Sequence, residues 1–139
     1  MRLDEIVDTF ELLGDWEQRY QYLIELGEAL PPMPAALKLD KNKVRGCMSQ
    51  VWIDAALKDG KIQFVGDSDT SVIKGILALL IGLCNGRKVE DIQSINMDSI
   101  FERLNLAEHL SPNRHVGVYA MFDLMKQKAS QAHTSHIAA

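Results

Sequence analysis

The sequence predicts an α+β domain in which a small antiparallel three-stranded sheet packs against helices. Two observations carry this. Residues 49–57 and 61–65 alternate apolar with polar and are joined by Asp59-Gly60, a strong two-residue hairpin signal. On either side run apolar stripes at helical spacing, the clearest being Ile73, Ile76, Leu77, Leu80, Ile81 and Cys84. An isolated hairpin is marginal in water, so helices must cover one of its faces.

In chain order, Ile6, Phe10 and Leu13 at i, i+4, i+7 predict a first helix, broken by Gly14-Asp15. Asp15 can cap a second helix, with Gln18 three residues on. That helix carries Trp16, Tyr20, Leu23 and Gly27 on one face. Pro31, Pro32 and Pro34 stop it, which makes residues 30–42 a loop or irregular crossing. Residues 43–45 are expected as a short third strand. In the hairpin, Val51, Ile53, Ala55 and Leu57 share a side, as do Ile62 and Phe64. Asp67, Ser68 or Asp69 is expected to cap the helix that follows, and Asn85-Gly86 to end it. Short helices are expected near 90–94 and 99–104. Ser111-Pro112 then opens the last helix, with Tyr119, Phe122, Met125 and Ala129 on its buried side. From Gln131 the chain turns small and polar. The expected organisation is one domain over residues 1–130 and a flexible tail over 131–139.

Composition narrows the function classes. A chain of 139 residues, 47% hydrophobic, can bury a core without disulfide or metal staples. The longest apolar stretch, residues 76–84, is far too short to span a bilayer, and the start of the chain carries no apolar signal region. A net charge of −4 with scattered basic residues argues against nucleic acid as the main partner. Two widely spaced cysteines do not make a disulfide framework, and reduced thiols in the cytoplasm are the simplest expectation.

The chemistry centres on Cys47. It follows Gly46 and precedes Met48-Ser49-Gln50-Val51-Trp52, a tight loop leading into a strand. Arg45 lies two residues before it, on the same side if the stretch is extended, and a cation there favours the thiolate. On residue types alone, a reactive thiol and a buried structural cysteine are both open. Cys84 continues an apolar helical stripe and reads as core. Gly66-Asp67-Ser68-Asp69 lacks the length and later glutamate of a calcium loop. His133 and His136 form only a weak metal signal at i, i+3, and no spacing assembles a metal site from Cys47, Cys84 and His109. Arg114 falls in the first turn of the last helix, where a cation opposes the dipole. It therefore calls for a partner carboxylate such as Asp67 or Asp69, or for a docking role.

Several segments together resemble the SufE family of sulfur acceptors, the paralogous CsdE proteins included. They are Gly46-Cys47 with Ser49-Gln50-Val51-Trp52, then Gly66-Asp67-Ser68-Asp69 with Lys74-Gly75, then His109-Leu110 with Ser111-Pro112, Arg114 and Gly117. Asp15-Trp16-Glu17, Tyr20, Tyr22-Leu23-Ile24 and Leu26-Gly27 are similar to the family's N-terminal helices. The resemblance covers nearly the whole chain. It implies an α+β fold like that of the IscU-type iron–sulfur scaffold proteins. It also implies an accessory protein without a cofactor of its own. Such a protein takes persulfide sulfur from a cysteine desulfurase of SufS or CsdA type, itself PLP-dependent, stimulates that enzyme, and hands sulfur to a scaffold of SufBCD type. Cys47 matches the acceptor. Arg45, Gly46, Ser49, Gln50, Asp67, Asp69 and Arg114 are expected to bind the partner or support the loop. The competing expectations are a stand-alone thiol redox protein using Cys47 and an interaction module whose cysteine is incidental.

Overall fold

The computed structural model describes the backbone of residues 1–138 and the side chains of residues 1–135. Helix α1 (Leu3–Leu13) ends at Gly14, whose φ of 81° is one glycine adopts freely. Asp15 caps α2 (Trp16–Glu28) by accepting the Gln18 amide at 2.9 Å. The proline-rich crossing contains two 3₁₀ turns, Ala35–Leu37 and Asp40–Asn42. Strands β1 (Val51–Lys58) and β2 (Lys61–Ser68) pair antiparallel from Val51↔Ser68 to Lys58↔Lys61. The turn residues Asp59 and Gly60 both take positive φ, 53° and 75°, which matches the twist of a tight hairpin.

The sheet has two strands, not the three expected. Residues 43–45 contribute one bridge, Lys43 to Trp52, with the Val44 amide donating to the Val51 carbonyl at 2.8 Å. Gly46 then takes φ 85° and turns the chain away before a second pair can form. A loop also serves the outer edge of β2. The Ile62 amide donates to the Arg87 carbonyl at 2.8 Å and the Phe64 amide to the Asn85 side chain at 2.7 Å. These edge groups thus find partners without a third strand.

Helix α3 (Ser71–Cys84) begins later than expected. Asp67 and Ser68 stay in β2, and Thr70 stands at the cap position without a side-chain capping bond. The Asp67 and Asp69 carboxylates are engaged elsewhere, as shown below. Ten residues of α3 are buried, because the helix is enclosed by the hairpin, α2 and the C-terminal helix. Gly27 and Gly75 let α2 and α3 approach backbone to backbone. A Cβ on Gly75 would lie 2.1 Å from the Leu23 carbonyl oxygen. Helices α4 (Val89–Gln93) and α5 (Met97–Leu104) follow, the latter capped by Asn96.

Helix α6 (Pro112–Ala138) opens as expected, with the Ser111 hydroxyl accepting the Arg114 amide at 3.3 Å. It packs Val118, Met121, Phe122, Met125 and Ala129 into the core shared with β1 and α3. Tyr119 is only half-buried. It stacks on Phe101 and donates its hydroxyl to Asp98 rather than entering the core. The helix continues to Ala138, through the segment read from sequence as a tail, and Ala132 still packs against the core. Ala139 and the His136 side chain lie outside the described residues.

Candidate functional site

Cys47 sits where the turn at Gly46 meets the flank of α6. Both cysteines are free thiols, Cys47 half-buried and Cys84 buried. The Cys47 sulfur rests against Gly117: a Cβ built there would lie 2.9 Å from Sγ. Cys47 also lines a cleft of about 160 Å³, together with Met48, Ser49, Ile73, Ser111, Asn113 and Arg114. Met48 is 83% exposed, so one flank of this cleft is an apolar side chain already standing in solvent.

The downstream end of the loop is tied to the β2–α3 corner. The Gln50 amide donates to the Asp69 carboxylate at 3.0 Å, and the Asp69 amide donates back to the Gln50 carbonyl at 3.1 Å. The same carboxylate accepts the Thr70 hydroxyl at 3.1 Å, and the Ser49 and Thr70 hydroxyls share a hydrogen bond at 2.7 Å. The upstream end is held by the Val44–Val51 bond and by Asn42. Asn42 is fully buried, donates to the Leu37 carbonyl at 2.7 Å and accepts from Lys128 on α6. Between these anchors, residues 45–48 have no backbone bonds to other segments among the described residues.

The remaining sequence candidates divide. Asp69, Ser49 and Gln50 converge on the loop. Asp67 lies on β2 and faces the other way, taking Lys38 at 2.7 Å and Lys74 at 3.1 Å. Burial alone would raise its carboxyl, but the hydrogen bonds from Lys38 and Lys74 outweigh burial and hold it below the usual value. The expected pairing of Arg114 with Asp67 or Asp69 does not occur. Arg114 is exposed, lines the Cys47 cleft and forms no salt bridge among the described residues. Arg45 is likewise exposed, and the turn at 45–46 removes the extended geometry that would have set it beside Cys47.

Cys84 belongs to the core. Burial pushes its thiol up to about 12, against smaller opposing pulls from Arg87 and Lys126. Among the described residues, no group of three or more His, Cys, Asp or Glu gathers in metal-binding geometry, and no helix is long and apolar enough to cross a membrane. Sequence reasoning missed Thr70 and Lys38 as supporting residues. Thr70 was overshadowed by the acidic run before it. Lys38 lies in an irregular crossing, where no periodicity reports which way a side chain points.

The fold and site define an α+β protein with a single accessible thiol on a short loop between a helix and a hairpin. The chain belongs to the SufE family: the model of the SufE iron–sulfur (Fe-S) metabolism associated domain matches residues 4–129. An uncharacterised SufE-like protein of Rhizobium meliloti (strain 1021) is 38% identical over 131 residues, covering 91% of this chain and 94% of that protein. One of Synechocystis sp. is 42% identical over 127 residues, covering 91% and 79% respectively. The solution structure of a hypothetical protein from Thermus thermophilus superposes with a TM-score of 0.77 at 22% identity, over 96% of this chain and 99% of that one. That likeness concerns the fold.

Proposed function

We propose that this chain is a cytoplasmic sulfur carrier of iron–sulfur metabolism. On this reading it accepts persulfide sulfur on Cys47 from a cysteine desulfurase, stimulates that enzyme, and passes the sulfur to a cluster-assembly scaffold. The observation that carries it is the setting of Cys47: one half-buried thiol on a loop hydrogen-bonded at both ends, whose middle meets the rest of the fold by side-chain packing against α6. A thiol carrying sulfur between proteins needs shelter from small oxidants and thiols, and it also needs to reach a partner's cysteine. A loop hydrogen-bonded to its neighbours only at its ends, and packed elsewhere by side chains, meets both demands by moving.

The transfer is a thiol–disulfide exchange without net redox. The Cys47 thiolate attacks the terminal sulfur of the donor's S–SH group. The donor S–S bond breaks, the donor cysteine leaves as thiolate, and Cys47 becomes S–SH. No cofactor of this chain takes part.

The alternative, a self-contained thiol redox protein, often sets a resolving thiol beside the reactive one. Cys84 is fully buried, and its thiol is raised to about 12, far outside that role. The test is intact mass after incubation with a PLP-dependent desulfurase and cysteine. A sulfur adduct is expected on the wild type and on Cys84→Ser, and none on Cys47→Ser. An adduct that survives Cys47→Ser, or oxidation of Cys47 by peroxide without sulfur uptake, would overturn the reading.

A further inference from the structure

We propose that Gly117 is the positioning residue for the Cys47 thiol. The side chain it lacks is the space in which the sulfur rests, and any larger residue there drives the sulfur off α6. The inference deepens the reading of Cys47 as a sulfur acceptor and rests on it, although the geometry stands on its own.

A Cβ on Gly117 would lie 2.9 Å from Sγ, 3.5 Å from Cβ and 3.7 Å from Cα of Cys47. Non-bonded heavy atoms pack at about 3.5–4.0 Å, so the 2.9 Å Sγ contact is too short by roughly 0.6–1.1 Å. The three nearest atoms all belong to Cys47. Nothing else close to that position calls for a glycine, and the residue lies in the interior of α6. Glycine in a helix interior is destabilising relative to alanine, so it needs a compensating reason. The close approach of Cys47 supplies one.

Gly75 shows the contrast. There the obstruction is the Leu23 backbone, which belongs to a packed helix and cannot give way. At Gly117 the obstruction is the tip of a side chain on a loop. One turn further along α6, the Ala120 methyl would lie 3.9 Å from a Cβ on Gly46, so the loop rides on α6 at two successive points. With Sγ seated against α6, Cys47 borders the cleft it shares with Ser49, Ile73 and Asn113, which leaves adjacent space for an outer persulfide sulfur. With alanine at 117, the sulfur has to leave this seat and becomes more open to solvent.

The experiment uses the full chain and the variants Gly117→Ala, Cys47→Ala and the double variant. Iodoacetamide should alkylate Cys47 in folded Gly117→Ala at least about fivefold faster than in the wild type. Dithiothreitol should strip sulfur from the loaded variant faster by a similar factor. Thermal unfolding supplies the structural control. Alanine at 117 should raise Tm in the Cys47→Ala background, where the clash is gone, and leave Tm unchanged or lowered beside Cys47. Equal Tm shifts in both backgrounds, or unchanged alkylation in a folded Gly117→Ala, would overturn the proposal. So would failure of the double variant to fold, because glycine would then be needed for another reason. Iodoacetamide requires no sulfur chemistry, so the seat can fail while the carrier reading stands, and the reverse also holds.

Discussion

Asp69 and Gln50 exchange two hydrogen bonds, amide to carboxylate at 3.0 Å and amide to carbonyl at 3.1 Å. The pair fastens the last turn before β1 to the last turn before α3. Removing the Asp69 side chain leaves the backbone bond and deletes the charge-assisted one, together with the carboxylate partner of Thr70. Because the site is exposed, the stability loss for Asp69→Ala should be about 1 kcal/mol. The larger effect should be local: Cys47 alkylation in the free protein rising several-fold, with faster hydrogen exchange over residues 46–50. Asp69→Asn keeps an acceptor oxygen and should fall between. Unchanged alkylation in folded Asp69→Ala would show that the loop is held by other contacts.

Asp67 carries a separate prediction. Lys38 and Lys74 both bind its carboxylate and hold its proton affinity below that of the unfolded chain. A depressed carboxyl stabilises the fold at pH values above its unfolded value near 3.8, and this contribution disappears as pH falls through the lower folded value. Asp67→Asn should therefore cost about 1 kcal/mol at neutral pH. The gap to the wild type should stay flat down to about pH 4 and close below it. Urea unfolding at pH 7, 5 and 3 measures this. A gap that widens on acidification would contradict the ion-pair account.

Cys84 reverses the sense of the pH effect. Its thiol is raised from 9.0 to about 12 by burial, so the unfolded chain releases this proton at lower pH than the folded one. Stability from the neutral buried thiol is intact below pH 9 and drains away as pH rises toward 12. Between pH 8 and 10.5 the wild type should lose roughly 2 kcal/mol more than Cys84→Ala, from about 1.4 kcal/mol per unit of pKa difference. Cys84→Ala should itself cost about 1 kcal/mol at pH 8 through lost packing. Parallel pH profiles for the two proteins would show that Cys84 ionises freely and is not buried as described.

Most of the helices and the hairpin were legible because each obeys a local rule: the Asp15 cap with Gln18, the Asp59-Gly60 turn, the Ser111-Pro112 start. The third strand failed because the competing event is not periodic. One glycine at positive φ ends the pairing after Lys43, and β propensity in 43–45 cannot report that. The cap of α3 failed because acidic residues suited to capping were recruited by tertiary partners, Asp67 by two lysines and Asp69 by Gln50 and Thr70. The tail composition of 131–138 gave no warning that α6 would carry on through it. In the site, Cys47 and Asp69 could be named from sequence. Gly117 could be quoted but not interpreted, because its meaning lies in a contact seventy residues away.

Arg114 gives the sharpest functional prediction because its role in folding is small. It is exposed, forms no ion pair among the described residues, and stands in the first turn of α6, where a cation opposes the helix dipole by about 0.3–1 kcal/mol. Its backbone amide bonds Ser111, and that bond does not involve the Arg114 side chain, so alanine or lysine at 114 retains the donor. Arg114→Ala should therefore leave Tm unchanged or raise it slightly. Yet the side chain lines the cleft that holds Cys47, beside exposed Met48, with its charge unspent. If that charge meets an acidic group on the desulfurase, its loss should slow sulfur transfer by tenfold or more, an effect of about 1.4 kcal/mol or greater. The dependence on salt separates this from a general disturbance. Wild-type transfer should weaken between 50 and 300 mM salt (about 14 Å down to 6 Å of screening length), and Arg114→Ala should respond less. Arg114→Lys, which keeps the charge but not the fork of donors, should recover part of the rate. Undiminished transfer by folded Arg114→Ala, with wild-type salt dependence, would remove Arg114 from the docking surface.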